Sequence, residues 1–171
     1  MIPEEIIRFL EGATVAYGGT RDDKLVPQVY QVTGWIVAPD RQIITCLIPD
    51  DHSRTLARSF EDNGRFSLIV VGSTTGPRAS NPPSPAVDSH ECYQFKGDHV
   101  ASRPANEADI AVSEQTSKRF QELFRPMFGF SEEGAAAYIR KPGVAITFRV
   151  REIFDQTPGP GAGRRIVPEE A

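Results

Sequence analysis

The chain has 171 residues, with 19 Lys plus Arg against 23 Asp plus Glu and a net charge of −4 at pH 7. That length supports one domain around one core, burying roughly 70% of the surface the unfolded chain exposes. No window gathers the basic residues into a stripe or tail, which argues against nucleic acid and anionic membrane as partners.

No run approaches the roughly 20 apolar residues of a spanning helix, and MIPEEIIRFLEG is too acidic and short for a secretory signal, so a cytoplasmic protein is expected. Cys46 and Cys92 sit in strand-like runs with no CxxC spacing, which reads as two reduced thiols used as small apolar residues.

In chain order, Pro3 and two acids begin a short helix with Ile6, Phe9 and Leu10 on one face and Gly12 as its stop. ATVAYGGT and LVPQVYQVTGWIV, joined by the polar turn RDDK, form a β-hairpin in which Gly18, Gly19 or Gly34 can mark bulges. APDR turns the chain into a third strand, QIITCLI. Residues 53–62 then place Leu56, Ala57 and Phe60 on one helical face, ending near Asn63 and Gly64.

RFSLIVVGS, ECYQFKGDHVAS and GVAITFRVREIF supply three more strands. A helical hairpin over about 106–139 precedes the last of them, with Ser131 capping its second helix and Pro142 preventing continuation. Residues 74–89 and the tail from 157 resist regular assignment, and the Pro-rich 74–89 loop is either a lid or a disordered insertion. The expected fold is mainly β: six antiparallel strands curled into a small β-barrel with flanking helices over 1–156, followed by a flexible tail, 157–171.

The richest candidate chemistry is PDDHSRTLARSFEDN, where a strand ends just before a helix and leaves backbone N–H groups free to attract an anion. Ser53, Arg54 and Thr55 add donors in the first turn, while Asp50 and Asp51 oppose an anion; the residues alone favour a simple helix cap. His52, His90 and His99 have no zinc spacing, PGPGAGR lacks the setting of a phosphate loop, and no hydrolase motif occurs. Tyr30 and Trp35 read as core aromatics before ligand-stacking ones.

Taken together, FLEGATVAYGGTRDDKLVPQVYQVTG, IITC, HSRTLARSFEDNGRFSLIV and YQFKG, in that order and spacing, resemble the FMN-binding split-barrel family related to pyridoxamine 5′-phosphate oxidase, over about residues 4–155. The resemblance implies that Gln28, Val29, Tyr30 and Gln31 lie beside a flavin ring, with Ile44, Thr45 and Cys46 close by. It implies that Ser53 and Arg54 hold the FMN phosphate, with Thr55 standing where the family has lysine, so that one cation is missing. It further implies a homodimer with composite sites, in which Cys92, Tyr93 and Gln94 face the partner's flavin; alternation puts Cys92 and Gln94 on one face.

The activity implied is that of an FMN-dependent oxidoreductase acting on a small organic molecule, with Tyr30 and His52 as candidate acid or base groups. The tail does not reproduce the arginine-and-histidine signature of true pyridoxamine 5′-phosphate oxidases, so that substrate is not expected. The alternative, favoured by Thr55 and the two upstream acids, is a dimeric binding protein for haem or a deazaflavin, or one that has lost its cofactor.

Overall fold

In the computed structural model, which describes residues 1–13, 15–49, 53–74, 89–129, 131–137 and 140–166, the apolar face read from the first helix is the face that is buried. Helix α1 (Glu4–Gly12) turns Ile6, Phe9 and Leu10 inward, and the Leu10 carbonyl accepts a hydrogen bond from the Trp35 indole at 3.2 Å. Strands β1 (Val15–Arg21) and β2 (Pro27–Val32) form the first hairpin. Its turn is held by the Asp22 carboxylate, which accepts from the Lys24 and Val26 N–H groups at 3.0 and 2.9 Å.

The second strand expected from the sequence is divided. Between β2 and β3 (Gly34–Val37), Thr33 donates its N–H to the Leu47 carbonyl at 2.8 Å, and the chain changes partner from β1 to β4 (Ile43–Pro49). Helix α2 (Ser53–Asn63) follows, buries Leu56, Ser59 and Phe60, and ends as expected where Gly64 adopts φ 58°. The side chain of Ala57 lies outside the described part.

Strand β5 (Arg65–Thr74) and the long β6 (Ser89–Pro104) come next, then α3 (Glu107–Phe128), α4 (Glu132–Ala137) and β7 (Pro142–Asp155). The helical hairpin is present. Asn106 caps α3 by accepting from the Asp109 N–H, the Asp109 carboxylate returns to the Asn106 N–H, and Arg103 grips the same carboxylate. Ser131 accepts from the Gly134 N–H at 3.0 Å, the cap read from the sequence.

A short strand, β8 (Arg164–Ile166), lies within the stretch expected to be a flexible tail. Gly163 allows the turn, at φ 84°, and donates to the Asp155 carbonyl; Arg164 and Arg165 then approach Asp155 and Glu152 at 3.8 and 3.4 Å. Residues 167–171 and 75–88 lie outside the described part, the latter covering the Pro-rich loop. No described helix is long and apolar enough to cross a membrane.

The sheet runs β2-β1-β5-β6-β7-β4-β3, every pair antiparallel, with β8 beside β7. Its two outermost strands are successive in the chain, so the sheet curls into a barrel split along that seam. The count of eight against an expected six comes from the division at Thr33 and from β8.

The interior is filled by Tyr30, Trp35, Ile44, Cys46, Phe66, Phe95, Phe148 and Ile153, with Leu56 and Phe60 of α2 closing one side. Burying a large side chain of this kind stabilises by roughly 1.5–3 kcal/mol.

The glycines read as bulge markers act otherwise. Pairing passes through Gly18 and Gly19 without a register shift, and Gly18 is required because a Cβ there would lie 2.4 Å from the Phe66 ring. Gly34 packs against Leu47 and Ser113. The shifts fall at Ile48/Pro49, Lys96/Gly97 and His99/Ala101, and they bend β4, β6 and β7 round the core.

Gly97 is the tightest point of that bend, since a Cβ would sit 2.0 Å from the Arg149 carbonyl oxygen, whereas at Gly19 the nearest atom is 3.5 Å away. Gly97→Ala should therefore destabilise by about 1–3 kcal/mol, while Gly19→Ala should match or exceed the wild type, as thermal melts of the two variants will register.

His99 stacks on Phe60 at 4.0 Å and hydrogen-bonds Ser102, and burial holds its pKa below the usual histidine value. The unfolded chain then binds this proton more readily, so stability is full above about pH 6.5 and declines as pH falls through the folded-state pKa. Urea melts at pH 7.5 and 5.5 should show that decline, and His99→Gln should shrink it.

Candidate functional site

Strand pairing sorts the candidate residues by face. Gln31 of β2 pairs with Tyr17 of β1, Tyr17 with Ile69 of β5, Ile69 with Gln94 of β6, and Gln94 with Phe154 of β7. Residues directly opposite in a ladder share a face, so these five side chains form one row across the outside of the barrel. A parallel row contains Val29, Gly19, Ser67, Lys96 and Glu152, and Val71 opposite Cys92 lies on the same face.

Val29, Gln31, Cys92 and Gln94 therefore meet on one surface, with β2 and β6 about 14 Å apart across three strand spacings. Tyr17 and Val29 are exposed there, while Ile69, Val71 and Phe154 are half-buried. Gln94 is fixed at both ends of its amide, donating to Ser67 Oγ at 3.0 Å and accepting from the Gln156 amide at 3.1 Å. Cys92 is buried beneath the segment that follows β7, through Gln156 N–H to its carbonyl and its own N–H to Thr157 Oγ1; Asp155 reinforces burial in raising its thiol pKa.

Other candidates face inward. Tyr30, Ile44 and Cys46 are core residues; burial raises the Tyr30 phenol pKa, with Asp22 adding to it, and burial pushes the Cys46 thiol far up, leaving it unreactive. Gln28 lies on the Tyr30 side of β2 and is half-buried. Neither Tyr30 nor Cys46 can present its side chain to a ligand on the outer face. Trp35 is likewise core, as its strand setting indicated.

Thr45 faces out beside β7, its hydroxyl 3.0 Å from that of Thr147, with Ile36 of β3 opposite. Along β7, Thr147 stands seven residues from Phe154, the neighbour of Gln94, a separation of about 23 Å. Within one chain Thr45 and Gln94 thus lie too far apart to touch the same ring. The start of α2 at Ser53 follows the end of β4 by a few residues, as the sequence reading required. Asp50, Asp51 and His52, and the side chains of Ser53, Arg54, Thr55 and His90, lie outside the described part.

One feature on this surface was not legible in the sequence. At the end of the barrel near Asn63, a groove of about 580 Å³ is bounded by Arg21, Arg65, Lys96 and Arg151, which come from four different strands. Arg65 and Arg151 share the Asp98 carboxylate, at 2.5 and 2.6 Å, and the Arg151 hydrogen bond holds that carboxyl below its usual pKa, assisted by the Arg65 charge. Among the described residues no three His, Cys, Asp or Glu side chains gather as a metal site.

No family model and no curated protein matches the sequence. Solved structures do match in fold. HupZ from Group A Streptococcus superposes with a TM-score of 0.51 at 18% identity, covering 95% of this chain and 100% of that one. An F420 reductase superposes at 0.50 and 14% identity over 89% and 98% of the two chains. A pyridoxamine 5′-phosphate oxidase-like protein from Lactobacillus delbrueckii is also similar, at 0.48 and 11% identity over 90% and 93%. The strand order, the seam between β2 and β3 and the superpositions on HupZ and the F420 reductase give the chain a split-barrel fold.

Proposed function

We propose that the chain is a homodimeric, cytoplasmic flavoprotein that binds FMN at composite sites between its subunits and acts as an oxidoreductase on a small organic molecule. The observation that carries this reading is the division of the candidate residues. Val29, Gln31, Cys92 and Gln94 share one outer face, and Thr45 lies about 23 Å from Gln94 along β7. A second copy joining through the partly apolar outer face would bring its β6 to the first copy's Thr45 and α2.

The residues fit such a ligand in kind. The first N–H groups of α2, with Ser53 and Arg54, would hold a phosphate; the Thr45 and Thr147 hydroxyls offer hydrogen bonds to a polar ring edge; the β2 main chain and Gln31 would fix its orientation. Bound FMN would supply the redox chemistry, and the protein binding and electrostatics. Both thiols are free and buried, which suits a reducing compartment.

A second reading, that the composite site takes a deazaflavin or haem instead of FMN, draws on Thr55 in place of a lysine, on Asp50 and Asp51, and on the F420 reductase among the fold's members.

Purified protein mixed with FMN should remain yellow through gel filtration and melt at a higher temperature than the apoprotein; a colourless fraction and an unmoved melt would refute FMN binding. Arg54→Ala should weaken FMN binding by about 1.5–3 kcal/mol, the range for a hydrogen bond to a charged group. Light scattering should give a dimer at micromolar concentration, and a monomer would remove the composite site.

A further inference from the structure

We propose that the basic groove beside Asn63 is a separate binding site for the phosphate or diphosphate group of a small molecule. The proposal does not depend on the flavin reading.

The groove is formed by the absence of side chains in its floor. Gly19 and Ser67 sit where the outer row between Val29 and Lys96 would otherwise carry large residues. A Cβ on Gly19 would meet only the Gln28 carbonyl oxygen, at 3.5 Å, so packing does not demand glycine at that position. Unlike Gly18 and Gly97, Gly19 thus keeps space open on the outside of the barrel.

The walls are cationic for a reason found in the sheet. Lys96 pairs with Glu152 but Gly97 pairs with Val150, which leaves Arg151 as the extra residue of a bulge. Strict alternation would send Arg151 and Glu152 to opposite faces; with the bulge, both border the groove. Arg151 engages Asp98 through Nε and Arg65 through one terminal nitrogen, so a single carboxylate serves two guanidinium groups that each retain further N–H donors.

Lys96 is held 4.6 Å from the centre of the Phe154 ring and pairs with no carboxylate among the described residues. Arg21 reaches Asp62 at 2.7 Å, and Glu152 is engaged by Arg165. The groove therefore retains a positive balance in a chain whose net charge is −4. The negative end of the α2 dipole lies nearby, but about half an elementary charge does not offset that balance.

A planar fork can grip two oxygens of a phosphate, and two forks and an ammonium converging on one volume suit a multiply charged anion better than a carboxylate. The size is that of a small-molecule site, and the basic surface is too local for nucleic acid. The groove also differs from the expected FMN phosphate site. Ser53 and Asn63 are opposite ends of an 11-residue helix, about 15 Å apart.

The test is calorimetric titration of the purified protein with sodium pyrophosphate at low salt, against sodium chloride at matched ionic strength. Saturable binding is expected for pyrophosphate alone, weakened at least tenfold by Lys96→Met and by Gly19→Val. Gly19→Val fills the floor with a residue suited to strands, so its melting temperature should be maintained and loss of binding cannot be ascribed to unfolding. Lys118→Met, on α3, should bind as wild type. Heats that do not saturate, or equal binding by wild type and both groove variants, would overturn the site. Displacement of pyrophosphate by FMN in direct competition would overturn its separateness, whereas protein that ignores FMN but binds pyrophosphate would sink the flavin reading and leave this one standing.

Discussion

The barrel depends on the hand-over at Thr33. Up to Val32 the chain is hydrogen-bonded to β1; one residue later the Thr33 N–H is bonded to Leu47, and β3 continues against β4. That single residue takes the chain from one end of the sheet order to the other, so the sheet must curl until both ends meet. Tyr30, Val32 and Trp35 on either side of the crossing are all buried, so the seam is closed by packing as well as by the Thr33 hydrogen bonds. The bulges in β4, β6 and β7 supply the curvature that this closure needs.

The closure gives the two faces different tasks. Inside, Phe60, Phe66 and Phe148 make successive aromatic contacts at 5.9 and 5.2 Å, and Gly18 gives way to the Phe66 ring. Outside, the same strands present glutamines, a tyrosine, β-branched residues and cations whose spacing is set by the rigid ladder beneath them. A ligand site on such a surface inherits its precision from the core, because each outer side chain is one residue away from a buried one.

Much of this was legible in the sequence because its signals are local. The apolar periodicity of α1 and α2, the caps at Ser131 and Gly64 and the alternation of β6 rest on neighbours a few residues apart. The order and spacing of the quoted runs carried the split-barrel fold. The division at Thr33 was hidden because VYQVTGWIV reads as an uninterrupted strand, and its break is a change of partner, not of propensity. The inward side chains of Ile44 and Cys46 could be separated from the outward Thr45 only by knowing which face was core. The basic groove left no trace, since Arg21, Arg65, Lys96 and Arg151 are spread along 130 residues and converge only through strand order and a bulge. Outer-face parity, applied to all the strands at once, is the signal that could have found Arg21, Arg65 and Lys96, while the bulge hides Arg151 from it.

The small strand β8 has a consequence for the molecule's relations with its own copies. Strand β4 covers β7 only from Pro142 to Arg149, and β8 takes up pairing from Ile153 to Asp155, so the far end of β7 is not left as a bare row of amide and carbonyl groups. An open edge of that kind is a template for strand addition by another chain, and three residues held by two arginine ion pairs are enough to occupy it. The last described segment thus covers an edge that would otherwise stand open to pairing with another strand.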